Sequence, residues 1–178
     1  MREKFRPPTE RSEIRMPISM YRASIPVFIR ALGNLSAILK KGETHEGSAS
    51  FIDARLAPDM LTLAGQVQRA SDAAKAGAAR LGGIDNPSFA DTEKTFAELQ
   101  ARIKKTIEFL HSVKPEQIDG GEQRTIQFKA GGRELKFTGI DYLFGFALPN
   151  FFFHVTTAYA ILRHEGVPVG KMDYLGGS

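Results

Sequence analysis

The chain has 178 residues, 42% of them apolar and 25% charged, which is the size and make-up of one folded domain. Its net charge of +4 comes from acids and bases interspersed along the chain, not from the one-faced basic excess of a nucleic-acid binder. It has no cysteine, so disulfides, thiolate metal sites and cysteine nucleophiles are excluded, and a reducing, cytoplasmic setting fits. No run of about 18 apolar residues occurs, so no membrane-spanning segment is expected.

The first fifteen residues, "MREKFRPPTERSEIR", combine prolines with alternating charges and have no apolar stretch. Such a segment cannot bury apolar area, and residues 1–15 are expected to form a flexible arm ahead of a single domain over 16–178. They lack the apolar region of a secretory signal, and Met16 is an alternative start.

A first helix is predicted from about Ile18 to Lys41, because Ile25, Phe28, Leu32, Leu35 and Leu39 recur at steps of three and four. Pro26 should kink it near its first turns, and "ETHEGSAS" should follow as a polar loop. A second helix is predicted from Pro58, with Asp59 favoured by the helix dipole and Met60, Leu63, Val67, Ala70 and Ala74 facing inward. Gly82-Gly83 should end it, and its alanine-rich end should admit a close neighbour.

A third helix is predicted from an Asp91 N-cap, with Phe96, Leu99, Ile103, Ile107 and Leu110 buried and Pro115 as the stop. Alternating Ile126/Phe128 and Leu135/Phe137 around Gly131-Gly132 predict a β-hairpin lying across one end of the bundle. A fourth helix is predicted over about Ile140 to Glu165, kinked and not broken at Pro149, with Gly145 leaving room for the proline ring. The "GVPVGKMDYLG" tail should fold back onto the bundle. The fold class is all-α, a four-helix bundle with a short hairpin between helices three and four.

At about 100° per residue, Asn150 and His154 share one stripe of the fourth helix with Leu143, Ala147, Ala158 and Ile161. That places both polar groups inside the bundle, where each needs a partner. Two readings stand: a hydrogen-bonded polar pair in an ordinary core, or a small polar pocket between facing helices. His45, His111 and His164 read as surface residues. No phosphate-binding glycine loop and no zinc-protease or nucleophile-elbow motif is present.

The stretches "RLAPDMLTLAGQVQRASDAA" from Arg55, "LPNFFFHVTTAYAILRHEGV" from Leu148 and "GKMDYLG" from Gly170 resemble an uncharacterised bacterial family of the DinB/YfiT-like clan of four-helix bundles. The resemblance implies a DinB-like bundle. It also implies a three-histidine site for a divalent metal such as zinc or nickel, used by some members to transfer small thiols. Matched position by position, the three ligands fall on Gln66, Asn150 and His154, so two imidazoles are replaced by carboxamides. His154 remains as the one metal-type ligand, and Asp59, seven residues before Gln66 and on roughly the same side, could supply a carboxylate. Carboxamide oxygens are weak ligands for zinc and nickel.

Two functions follow from the resemblance. One is a noncatalytic or small-ligand-binding bundle with a degenerate metal site at Gln66, Asn150 and His154. The other is a metal-dependent small-thiol transferase with an altered ligand set. A homodimer is also implied. Phe152 and Tyr159, on the strip of the fourth helix left outside the core, are expected either at its two-fold interface or under the chain's own tail.

Overall fold

The computed structural model describes residues 18–177, and the expected arm at 1–15 lies outside them. Four long helical segments form a bundle. They are α1 (Met20–Glu43), α3 (Leu63–Gly82), α4 (Phe96–Ser112) and the run made by α6 (Gly139–Tyr142), a π-helical turn (Leu143–Ala147) and α7 (Leu148–His164). Short helices α2 (Ser48–Phe51), α5 (Pro115–Ile118) and α8 (Lys171–Leu175) fill the connections and the C-terminal end. The hairpin pairs β1 (Ile126–Ala130) with β2 (Arg133–Phe137).

The first helix forms where periodicity places it, two residues later at each end. Ser19 caps α1 by accepting from the Arg22 amide, and the helix continues through Pro26. Its apolar stripe of Ile25, Phe28, Leu32, Leu35 and Leu39 is completely buried. Phe28 meets Phe151 of α7 edge to face, with ring centroids 4.9 Å apart. Burying each such side chain contributes about 1.5–3 kcal/mol. By length and composition alone α1 could cross a membrane, but it places that apolar stripe in the bundle core. The loop after α1 is less irregular than its polar residues suggest, since α2 forms within it and buries Phe51.

The second long helix starts later than Pro58. Thr62 is the N-cap of α3, its hydroxyl accepting from the Gly65 amide at 3.0 Å. Residues 55–62 instead form turns, which leaves Asp59 exposed and Met60 outside the helix. A hydroxyl that satisfies a first-turn amide outweighs the proline preference here. The C-terminus is as expected: Gly83 takes φ +62° and donates to the Ala79 carbonyl. The small-residue end does bring a neighbour close. A Cβ on Gly77 would lie 3.1 Å from the Phe28 ring.

α4 likewise starts after Asp91. Thr95 caps it, accepting from the Glu98 amide, while the Glu98 carboxylate accepts from the Lys94 amide and the Thr95 hydroxyl. Phe96, Leu99, Ile103 and Leu110 are buried; Ile107 is only partly so.

Gly131 and Gly132 have φ of +55° and +76°, the signs a two-residue type I′ hairpin turn requires. Phe128 packs on Phe137, Tyr142 and Phe146, at 6.2, 5.6 and 5.1 Å between centroids. Arg80 of α3 lies 3.9 Å over the Phe128 ring and donates to the Tyr142 hydroxyl. This aromatic cluster holds the hairpin on one end of the bundle, where two strands alone would be marginal.

The last long helix passes Pro149 without a break. Pro149 has no N–H to give to the Gly145 carbonyl, and the turn before it opens into a π-helical one, with the Leu148 amide reaching back to the Leu143 carbonyl. Beyond α7, Val167 and Val169 are buried, and Asn34 and Arg30 of α1 donate to the carbonyls of Tyr174 and Leu175. The tail therefore folds back as predicted.

Candidate functional site

Gln66 occupies the first turn of α3, where its amide bonds to the Thr62 carbonyl at 2.8 Å. Its side chain is only 1% exposed and points at α7. There His154 Nδ1 lies 2.8 Å from Gln66 Oε1. Gln66 Nε2 faces the Leu61 carbonyl at 3.4 Å, which requires a donor at that end of the carboxamide. Oε1 is therefore the acceptor, and Nδ1 carries the proton. Burial, and secondarily the charge of Arg69, push the His154 pKa below its ordinary value, so the ring is held neutral.

His154 and Asn150 are half-buried, not fully interior. The expected stripe holds at Leu143, Ala147, Ala158 and Ile161, but between them the buried positions are Phe151 and Val155 in place of Asn150 and His154. A π-helical turn lies just before these two positions, where the winding departs from a constant 100° step. The neighbouring phenylalanines differ as well. Phe153 is 55% exposed, while Phe152, expected on the outer strip, is half-buried against Phe151. Tyr159 meets Tyr174 of α8 at 5.8 Å, and Thr156 bonds to the Tyr174 hydroxyl.

The structure thus brings Gln66 and His154 into direct contact and sets Asn150 one turn away. Among the described residues the Asn150 side chain makes no hydrogen bond. Phe153 stands edge-on to the His154 ring at 5.2 Å. An open apolar groove of about 430 Å³ runs alongside, lined by Leu56, Phe152, Phe153, Thr156, Thr157 and Ala160.

The donor set does not fit zinc or nickel. Among the described residues no group of three His, Cys, Asp or Glu is placed to hold a metal ion. His154 Nδ1 is committed to Gln66, which leaves one imidazole nitrogen and carboxamide oxygens, and Asp59 lies exposed ahead of α3. The other histidines stand elsewhere: His111 and His164 are exposed, and His45 bonds through Nδ1 to the Glu46 carbonyl beside Phe51.

A second polar cluster, absent from the sequence reading, lies between α3, α4 and the segment joining them. Arg102 is 3% exposed and donates to Asp72 at 2.8 Å, to Glu93 at 3.0 Å and to the Ala90 carbonyl, with Asp91 also 3.0 Å away. Lys75, 2% exposed, bonds to the Pro87 carbonyl, pairs with Asp72 and sits 3.7 Å over the Phe89 ring. Burial pulls the Lys75 pKa down. Desolvation opposes ionisation of Glu93, but its bonds to Arg102 and Gln68 outweigh that and hold its carboxyl low. Asp91, the expected helix N-cap, is here an ion-pair partner of Arg102, as is Glu93. The signal was an arginine, Arg102, one position from the buried Ile103 on the inner side of an amphipathic helix.

A family model, the domain of unknown function DUF1993, matches residues 20–175. No curated protein matches the chain. The crystal structure of a DinB family member from Shewanella denitrificans is similar, with 39% identity and a TM-score of 0.79 over 89% of this chain and 92% of that one. The chain belongs to the DUF1993 family, and its fold is that of a DinB-like helical bundle.

Proposed function

We propose that this protein is a noncatalytic, cytoplasmic DinB-like bundle whose degenerate metal site has become a small-ligand site at Gln66, Asn150 and His154. The observation that carries the reading is the 2.8 Å bond between His154 Nδ1 and Gln66 Oε1. It ties α3 to α7 directly, where a metal would otherwise join the helices, and contributes about 0.5–1.5 kcal/mol net. Gln66 and Asn150 cannot act as general acid or base, and Nδ1 of His154 is engaged by Gln66. No nucleophile–base pair stands at this site.

Metal analysis of untagged protein tests the reading. Far less than one zinc or nickel per chain is expected, before and after incubation with either ion. A stoichiometric metal that is retained on dialysis and lost in His154→Ala would overturn it and favour metal-dependent thiol transfer.

The reading includes a two-fold homodimer through the outer strip of α7. Support comes from the exposed Phe153 and from the absence of any Asp, Glu, Lys or Arg between Leu143 and Leu162. Tyr159 is taken by Tyr174, so Phe153 with Phe152 is the better-placed pair. Sedimentation should give a dimer for the native protein and a monomer for Phe153→Glu. A native monomer at micromolar concentration rejects the dimer.

A further inference from the structure

We propose that a crevice between α4 and the segment joining it to α3 binds a small zwitterion, a short methylene chain with a carboxylate at one end and an ammonium at the other. It shares no residue with the set Gln66, Asn150 and His154 and goes beyond the function proposed there. The crevice has a volume of about 350 Å³, and its walls include Phe89, Thr92, Glu98, Ala101, Arg102 and Lys105. Glu98, Ala101, Arg102 and Lys105 recur at steps of three and four, so they share one face of α4. The connecting segment is fixed opposite them by the buried network. Arg102 donates to the Ala90 carbonyl and to Glu93, and Lys75 sits 3.7 Å over the Phe89 ring. The walls are therefore in place before a ligand arrives, which lowers the ordering cost of binding.

Two opposite charges in this crevice stand outside the network. Both oxygens of Glu93 and both terminal nitrogens of Arg102 are taken by it. Glu98 uses only Oε2, which accepts from the Lys94 amide and the Thr95 hydroxyl, and its Oε1 has no partner among the described residues. Those bonds hold its carboxyl below the usual range, so it is ionised. Lys105 makes no hydrogen bond or ion pair among the described residues, and its ammonium rests 4.2 Å from the centre of the Phe89 ring. Glu98 and Lys105 do not pair with each other; seven positions apart, they stand two turns, or about 10 Å, apart along the helix axis. A lone anion gains Lys105 but faces Glu98, and a lone cation meets the reverse. A molecule with both charges gains at both ends. An α-amino acid carries both on one carbon, which is short for a two-turn span, whereas a chain of about five methylenes reaches further. Ala101, between the two charges on the same face, and the Phe89 ring supply apolar surface for that chain.

The probe is ε-aminocaproate, with caproate and hexylammonium as its single-charge counterparts and glycine as the short zwitterion. Backbone amide shifts of the full chain are followed by NMR during titration. Expected is saturable, millimolar binding of ε-aminocaproate centred on residues 88–93 and 98–105, and binding about tenfold weaker for each of the other three. Glu98→Gln keeps an acceptor at the start of α4, and Lys105→Met keeps the apolar stem. Each should weaken ε-aminocaproate about tenfold, as expected for one charge-assisted bond lost at an exposed position. Lys105→Glu should turn the preference toward hexamethylenediamine, an outcome that a purely structural role of Lys105 does not produce. Absence of saturable binding, a counterpart that binds as tightly as ε-aminocaproate, or an affinity and preference unmoved by the three substitutions overturns the proposal.

Discussion

Helix α3 faces two neighbours and meets them with opposite chemistry. Toward α4 it presents Asp72 and Lys75 to the buried Arg102, together with a Ser71–Thr106 hydroxyl bond of 2.7 Å. Toward α7 it presents one neutral carboxamide to one neutral imidazole. In the α4 seam the ion-pair cluster balances its charges: Arg69, Lys75 and Arg102 against Asp72, Asp91 and Glu93. Among the described residues, only Arg102 Nε is buried there without a partner. In the α7 seam the Nε2 of His154 and the Asn150 side chain have no hydrogen-bond partner among the described residues. A closed polar network fixes structure, whereas an open one is where function has room.

Removing the key group from each seam should therefore have different consequences. Arg102→Met is the largest expected effect. It takes a cation from three carboxylates, leaving Asp72 with Arg69 and Lys75, Asp91 with Arg69 and Glu93 with Gln68, and breaking a buried pair costs about 3–5 kcal/mol. The carboxylate side chains are 12–35% exposed, so water screens part of that and about 3 kcal/mol is expected by urea denaturation. A loss under about 1 kcal/mol would mean the network is not structural. His154→Leu should cost about 1–3 kcal/mol, because Gln66 is left buried without its partner. Adding Gln66→Leu to it should recover most of the loss. If the double variant is as unstable as the sum of the singles, the two side chains do not interact.

The α4 seam was also the part least readable from the sequence. Heptad-like spacing located all four long helices, and Gly131-Gly132 located the hairpin, because both signals are local. Helix starts were harder. Asp91 and Thr95 are both good caps, and which one acts depended on Arg102, eleven positions beyond Asp91, claiming the aspartate. Gln66 and His154 were readable as a pair through the family resemblance, yet their depth was not. A π-helical turn lies just before Pro149, and the buried positions after it are Phe151 and Val155, with Phe153 in solvent.

The smallest expected effect separates the seams by pH. The folded-state pKa of His154 is depressed, so the unfolded chain binds the proton more readily. Stability is fully present above the unfolded value of about 6.5 and is lost as pH falls from there through the folded value. The carboxyl of Glu93 is also depressed, and its contribution is lost only at lower pH, below about 4.5. Denaturation midpoints measured from pH 7.5 down to 5 should therefore decline in the native protein. His154→Leu should flatten the decline. An equal slope in that variant would assign the pH dependence to another group.

The imidazole of His154 reports most directly on whether a side-chain hydrogen bond, and not a metal, joins α3 to α7. Long-range proton–nitrogen NMR of the native protein at neutral pH distinguishes the two ring nitrogens. The bond to Gln66 predicts a protonated Nδ1 and a lone pair on Nε2, with both signals unchanged by a chelator and by added zinc. A proton on Nε2 instead, or ring signals that move when the chelator removes a bound ion, would contradict it.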